Sequence, residues 1–269
     1  MIYRLVFRAL LRRIDPEVAH ALASRSLRGV TALPGGRAMI RRGLGPGDPR
    51  LLVRALGRTF SSPLGAAAGV DKDGSWFEGL GALGFGHVEV GTVTALSQGG
   101  NPRPRVFRLI EDRALLNRMG FPNPGADVVA ERLRRRTGST VVGVNVGKSM
   151  AVPVEEAAED YGASVTLLGP FADYLVINVS SPNTPGLREM QEVELLRPLV
   201  GEVRAELEAA RAQVPVLIKI GPELTNEQID AVADLAVDLA LDGIVAVNTT
   251  VDRSCLAASA EEAASLQGG

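Results

Sequence analysis

From residue 60 onward, short and almost wholly apolar runs alternate with amphipathic stretches. The runs are 63–68, 87–92, 141–146, 174–179, 214–220 and 244–248. Strands covered on both faces read in this way, with no polar side to alternate against. Between them, helical periodicity predicts helices near 126–137, 153–165, 190–212 and 226–241. Thr225-Asn226-Glu227-Gln228 is a capping box that opens the last of these. No linker interrupts the pattern, which predicts one α/β domain with parallel strands.

Two parallel architectures compete, an open doubly wound sheet and a (β/α)8 TIM barrel. The polar residues that end the runs decide between them: Asp71-Lys72, Thr92, Asn145, Asn178, Lys219 and Asn248. A closed barrel gathers the C-terminal ends of all its strands around one mouth, whereas an open sheet focuses ligands at a single switch point. Six polar tips on six strands favour the barrel. Only six strands are legible and Gln267-Gly268-Gly269 reads as the start of a loop, so the barrel is expected to be incomplete, six strands of eight.

The N-terminal section differs in charge. Residues 1–60 carry 12 Arg against Asp15, Glu17 and Asp48, a net of +9, while the remainder carries a net of −11. A basic section on an acidic body calls for an anionic partner, either nucleic acid or a membrane surface. A helix is predicted from Ile2 to Ile14, with Ile2, Leu5, Val6, Ala9 and Leu10 on an apolar face that Tyr3, Phe7, Leu11 and Ile14 widen, and a stripe of Arg4, Arg8 and Arg12. A second helix is expected to start at an Asp15 cap with Pro16 in its first turn and to stop before Gly29, with an inner face of Val18, Ala19, Leu22, Ala23 and Leu27. A broad apolar face edged by Arg suits a helix lying in a membrane interface and does not suit DNA. No apolar run approaches the ~20 residues of a membrane span. We therefore divide the chain into an amphipathic helical extension, 1–45, and a barrel domain, 46–269.

Other chemistries have little material. At 46% hydrophobic and 22% charged residues the composition is globular. The sole cysteine, Cys255, excludes a disulfide framework, and with His20 and His87 far apart no metal site is expected. Only three of 29 basic residues are lysines: Lys72, Lys148 and Lys219. Lys219 interrupts an apolar strand and is expected to meet a negatively charged cofactor or an acid. The loop Asn178-Val179-Ser180-Ser181-Pro182-Asn183-Thr184-Pro185-Gly186 presents short polar groups on a path stiffened by two prolines, suited to a planar polar ligand. No histidine stands near Ser181 to form a hydrolase triad. The long excursion from about 95 to 125 holds four prolines and is expected to be non-helical, with Met119–Phe121 as a lid.

Taken with their order, seven runs resemble dihydroorotate dehydrogenase in its quinone-linked class 2 form. They are Ala67-Ala68-Gly69-Val70-Asp71-Lys72-Asp73-Gly74, Val90-Gly91-Thr92-Val93-Thr94, Asn117-Arg118-Met119-Gly120-Phe121, Asn145-Val146-Gly147-Lys148, the 178–186 loop with Leu187-Arg188, Lys219-Ile220 and Asn248-Thr249-Thr250. The resemblance implies an FMN enzyme that oxidises (S)-dihydroorotate to orotate in pyrimidine (UMP) biosynthesis, passes electrons to a membrane quinone, and lies peripherally on the cytoplasmic side of the cell membrane. It implies Ser181 as the catalytic base; class 1 relatives carry Cys there. By the same resemblance the substrate meets Lys72, Asn117, Arg118, Met119, Gly120, Phe121, Asn178, Asn183, Asn248 and Thr249. The flavin meets Ala68, Gly69, Val70, Asp71, Lys72, Thr92, Asn145, Asn178 and Lys219. Lys148 falls at the edge of the site, and Arg108 and the N-terminal helices resemble the quinone-side wall, with His20 either in that wall or in plain packing. Residues 1–30 would meet an anionic membrane surface, and nucleic acid is not an expected partner. Val247 departs from the Thr common in relatives, and Gly268-Gly269 stands where the family's phosphate-binding loop begins. A class 1-like soluble flavoenzyme and a non-catalytic fragment of the class 2 enzyme are the alternative readings.

Overall fold

A computed structural model describes residues 2–257 and 260–269; the side chains of residues 2–4, 260 and 262 lie outside the described part, and with them the expected places of Ile2, Tyr3 and Arg4 on the helix faces. The chain opens with helices α1 (Ile2–Ala9), α2 (Pro16–Ala32) and α3 (Gly36–Leu44). The expected single helix to Ile14 is broken. At Leu10 the backbone turns to φ −125°, ψ −61°, and Leu11–Arg13 form a separate 3-10 turn. Asp15 caps α2, its carboxylate accepting from the N–H groups of Glu17 and Val18 at 2.9 and 3.1 Å. Gly29 does not end α2, which continues to Ala32; Leu33 is extended at ψ 144° because Pro34 follows.

The inner face of α2 also differs from expectation. Val18 and Leu22 are 50% and 49% exposed. Turned toward the body are Glu17, which pairs with Arg105; His20, edge-on to Trp76; and Leu27, which abuts Gly79. These recur at i, i+3 and i+10 and share one face. Of the expected inner face Leu27 does turn inward, while Val18 and Leu22 stay half exposed and the Glu17–Arg105 ion pair occupies the side toward the body.

The body follows as an antiparallel hairpin β1 (Val53–Ala55) and β2 (Arg58–Phe60), then β3 (Gly65–Asp71), α4 (Phe77–Ala82), β4 (His87–Val93), a second hairpin β5 (Val106–Leu109) and β6 (Ala114–Asn117), α5 (Ala126–Arg134), β7 (Val141–Val146), α6 (Ala157–Leu168), β8 (Tyr174–Asn178), α7 (Val193–Ala209), β9 (Val216–Ile220), α8 (Asn226–Asp238), β10 (Gly243–Ala246) and α9 (Ala260–Ala264). The capping box is present, with Thr225 and Gln228 bonded reciprocally. The 95–125 excursion is non-helical as expected but holds the β5–β6 hairpin, which the prolines around it concealed.

Six strands form one parallel sheet in the order β10-β9-β8-β7-β4-β3. The order follows the sequence without reversal, so the sheet has no switch point and curls one way, giving six strands of a (β/α)8 barrel behind N-terminal helices. The apolar runs conceal a period of two. Val88, Val90, Val142, Val144, Leu175, Ile177 and Ile218 belong to the main core, with Leu133, Val165, Leu199 and Val203 of the helices. The alternate positions point inward. There Val141, Tyr174 and Val176 pack with Phe60 of the β1–β2 hairpin, closing the lower end of the interior. Further toward the C-terminal ends, the inward positions turn polar: Glu89, Asn145, Asn178 and Lys219.

Candidate active site at the strand ends

The C-terminal ends of β4, β7 and β8 and the loops after β8 and β10 are joined by one line of hydrogen bonds. Asn145 Nδ2 donates to Glu89 Oε1 at 2.7 Å. Asn145 Oδ1 accepts from Thr92 Oγ1 at 2.6 Å and Asn178 Nδ2 at 3.1 Å. Asn178 Nδ2 also donates to Thr92 Oγ1 at 2.8 Å, and its Oδ1 accepts from the Ser180 N–H and hydroxyl at 3.1 and 2.7 Å. Asn248 Nδ2 completes the line by donating to Ser180 Oγ at 3.1 Å. Buried polar groups this fully paired hold their side chains in single orientations.

Above this floor lies a cavity of about 1380 Å³. Its polar end is lined by Lys72, Thr92, Asn178, Ser181, Lys219 and Asn248; its other end by Phe7, Leu11 and Val18 of the helical extension. Ser181 is buried, and its Oγ accepts from the Asn183 N–H at 3.2 Å. Lys219 is 7% exposed and makes no hydrogen bond or ion pair among the described residues, its charge being felt by Glu89. Burial raises the Glu89 carboxyl above the usual range; Lys219 and the Asn145 amide oppose that rise. Lys72 donates to the Gly69 carbonyl, and burial lowers its ammonium pKa against the pull of Glu17. His20 lines the cavity too, lowered by burial and by the nearby Lys72 charge.

Of the residues singled out from the sequence, Ala68, Gly69, Val70, Lys72, Thr92, Asn117, Met119, Gly120, Phe121, Asn178, Ser181, Asn183, Lys219, Asn248 and Thr249 all line this cavity. Three do not. Asp71 is wholly buried beneath it, its two oxygens accepting from the Ser75 and Trp76 N–H groups at 3.0 Å each, so it shapes the turn into α4. Burial pushes its carboxyl up to about 7. Asn145 stands behind Thr92 and Asn178. Arg118 turns outward and donates to the Pro104 carbonyl at 3.2 and 3.0 Å. Lys148 braces its own loop through the carbonyls of Ser149 and Val152.

The Met119–Phe121 loop is tied down, with the Gly120 carbonyl accepting from Gln98 Nε2 at 2.9 Å and that of Met119 from the Asn101 N–H at 3.0 Å. Asn117 pairs backbone to backbone with Gly269 at 2.7 and 2.9 Å, and its Nδ2 also reaches the Gly269 carbonyl at 3.1 Å. Gly268-Gly269 therefore runs along β6 at the rim of the cavity. Arg108 donates to the Ile14 carbonyl at 2.6 Å, tying the helical extension to the β5–β6 hairpin. Sequence reasoning missed Glu89, Glu17 and Arg105. Glu89 had a signal, a lone acid inside an apolar strand; the other two look like ordinary surface charges until they meet.

A model of the family described as "Dihydroorotate dehydrogenase" matches residues 50–269. The chain is 54% identical to "Dihydroorotate dehydrogenase (quinone)" of Thermobifida fusca, covering 100% of this chain and 73% of that protein. It is 52% identical to the protein of the same name from Kineococcus radiotolerans, with 99% and 75% covered. Among solved structures, the DHODH of Eimeria tenella in complex with ferulenol superposes with a TM-score of 0.81 at 36% identity, over 98% of this chain and 74% of that one.

Proposed function

The chain belongs to the dihydroorotate dehydrogenase family, and from that premise we propose that it oxidises (S)-dihydroorotate to orotate in pyrimidine biosynthesis, with FMN as redox group and a membrane quinone as electron acceptor. The observation that carries this reading is the single cavity that joins the polar strand ends, with Ser181 on its wall, to the apolar helices α1 and α2.

The residues fit the ring system of a flavin. Ala68-Gly69-Val70 give a wall of small groups, and Gly69, at φ +101°, has open space where a Cβ would stand. Lys219 is a buried ammonium with no protein acceptor among the described residues, the partner an anionic ring would seek. FMN, when bound, would supply a two-electron acceptor for the hydride from substrate C6. Thr92, Asn178 and Lys219 would hold it, with Asn145 keeping Thr92 and Asn178 in register.

The chain itself supplies binding and proton transfer. Lys72 would meet the substrate carboxylate, and Asn117, Asn183 and Asn248 would pair with the donors and acceptors of a pyrimidine ring, against molecules that leave them unpaired. Ser181 Oγ takes the C5 proton, oriented by the Asn183 N–H, and passes its own proton to water in the cavity. The Met119–Phe121 loop, held by Gln98 and Asn101, would form part of the wall beside that step.

Residues 1–45 form, in this reading, the quinone-access extension and 46–269 the flavin and substrate domain. Leu5, Val18, Leu22, Met39 and Leu44 on the helices, and Leu10 and Leu33 between them, are exposed in this arginine-rich section, and no helix among the described residues is long and apolar enough to cross a membrane. That arrangement suits peripheral attachment at the cytoplasmic side, with residues 1–30 on anionic lipid. The test is titration of the purified protein with FMN, followed by anaerobic addition of dihydroorotate. Uptake of the flavin and bleaching of its visible absorbance are expected; a chain that takes up no FMN would overturn the reading.

A further inference from the structure

Glu89 lies on the inward face of β4, 6% exposed, and no step above uses it. An ionised carboxylate is an acceptor only, and the Lys219 charge and the Asn145 amide both favour that form of Glu89 against its burial. Its bond to Asn145 Nδ2 therefore compels that amide to turn its oxygen the other way, toward Thr92 and Asn178. Thr92 spends its one proton on that oxygen and can only accept from Asn178. Asn178 then spends its amide protons on Thr92 and Asn145, so its oxygen faces the β8 loop and takes both Ser180 donors. Ser180, its hydroxyl proton spent, accepts from Asn248 Nδ2, and the Asn248 oxygen is left to take the Thr249 N–H at 2.7 Å. Every proton in the line points toward Glu89.

We propose that Glu89 is a positioning residue of this site: its carboxylate sets the direction of the hydrogen-bond line Asn248–Ser180–Asn178–Thr92–Asn145 and so decides which atoms of Asn178 and Asn248 face the cavity. A glutamine at 89 presents an acceptor and a donor of the same size, and both directions of the line become available. The Lys219 ammonium, across the interior on β9, favours the ionised form of Glu89 and so supports the single direction. The consequence for ligands rests on the functional reading above; the direction of the line does not.

The experiment compares the side-chain amide spectra of the full chain, labelled with 15N at asparagine, between the native protein and Glu89→Gln. The Asn178 and Asn248 signals are expected to shift or split in two, although neither residue touches position 89. A merely local role would move Asn145 alone, and that result overturns the proposal. Orotate affinity, by calorimetry, is expected to weaken about tenfold, the scale of a charge-assisted hydrogen bond lost. Should Glu89→Gln fail to fold, Thr92→Val cuts the line in the middle. The Asn178 and Asn248 amides should then move while Asn145 stays bonded to Glu89, and unchanged Asn178 and Asn248 signals refute the relay. If native protein binds neither orotate nor FMN, the functional reading fails while the amide comparison still judges Glu89.

Discussion

Arg105 and Glu17 meet as a two-point ion pair across 88 residues of sequence, the guanidinium Nε 3.1 Å from both carboxylate oxygens and Nη2 3.0 Å from one. The same guanidinium donates Nη1 to the carbonyls of Gly99 and Asn101 at 2.6 and 3.1 Å. One side chain thus holds α2 to the loop that leads into β5 and, through Asn101, to the Met119 carbonyl. Removing the acid leaves a buried cation with carbonyls alone. Glu17→Ala is expected to destabilise the docking of α2 by about 3 kcal/mol, the low end for a buried pair because Glu17 keeps some contact with water. Hydrogen exchange in α2 reads this directly. Exchange as slow as in the native protein would show that apolar contacts alone hold the helix.

Ser181→Ala should cut the rate of dihydroorotate oxidation at least ~100-fold near neutral pH, since general-base assistance contributes that much or more. Orotate binding should persist, because the Asn183 side chain and Asn248 are untouched. Steady-state kinetics with calorimetry separates the two effects. A variant with native turnover removes Ser181 from the mechanism.

His87 sits between the rings of Phe60 and Tyr174, with Nδ1 buried and without a hydrogen-bond partner among the described residues. Burial lowers its pKa below the ordinary 6.5. The unfolded chain therefore binds a proton that the folded chain refuses, and the stability contributed by the neutral ring is full above 6.5 and lost progressively as pH falls from there through the lowered folded value. His87→Gln should be less stable overall yet show a shallower loss of stability between about pH 8 and 5. Denaturant midpoints across that range measure it; parallel curves for the two proteins would contradict the assignment.

Gly143 lies under the Tyr174 ring, where an added Cβ would come within 2.1 Å of Cζ. Gly143→Ala should cost about 1–3 kcal/mol or more by forcing the ring off its rotamer. In a Tyr174→Val background the same change should cost little. Thermal melts of the four proteins form a double-mutant cycle, and additive effects would show that the clash is absorbed elsewhere.

Much of the fold was legible before any coordinates. The run 141–146 coincides with β7, and the other five strands lie within three residues of their expected ends. Strands covered on both faces must be apolar throughout, and that requirement is written locally. The polar tips were legible for the same reason, since a charge such as Lys219 cannot sit in such a run without a purpose. What stayed hidden was depth: Asp71 and Asn145 read as equal to Lys72 and Thr92, although Asp71 turns back to the Ser75 and Trp76 N–H groups and Asn145 stands behind Thr92 and Asn178.

What the chain determined by itself is its succession of buried strands, their order, and the polar group ending each one, because these depend on neighbours within a few residues. What only the folded structure decided is orientation: the rotation of α2, set by Arg105 reaching Glu17; the placing of Gly269 against Asn117; and the direction of the hydrogen bonds leading to Glu89. Each depends on a partner far along the chain, and a side chain's donors and acceptors acquire a direction only when that partner arrives.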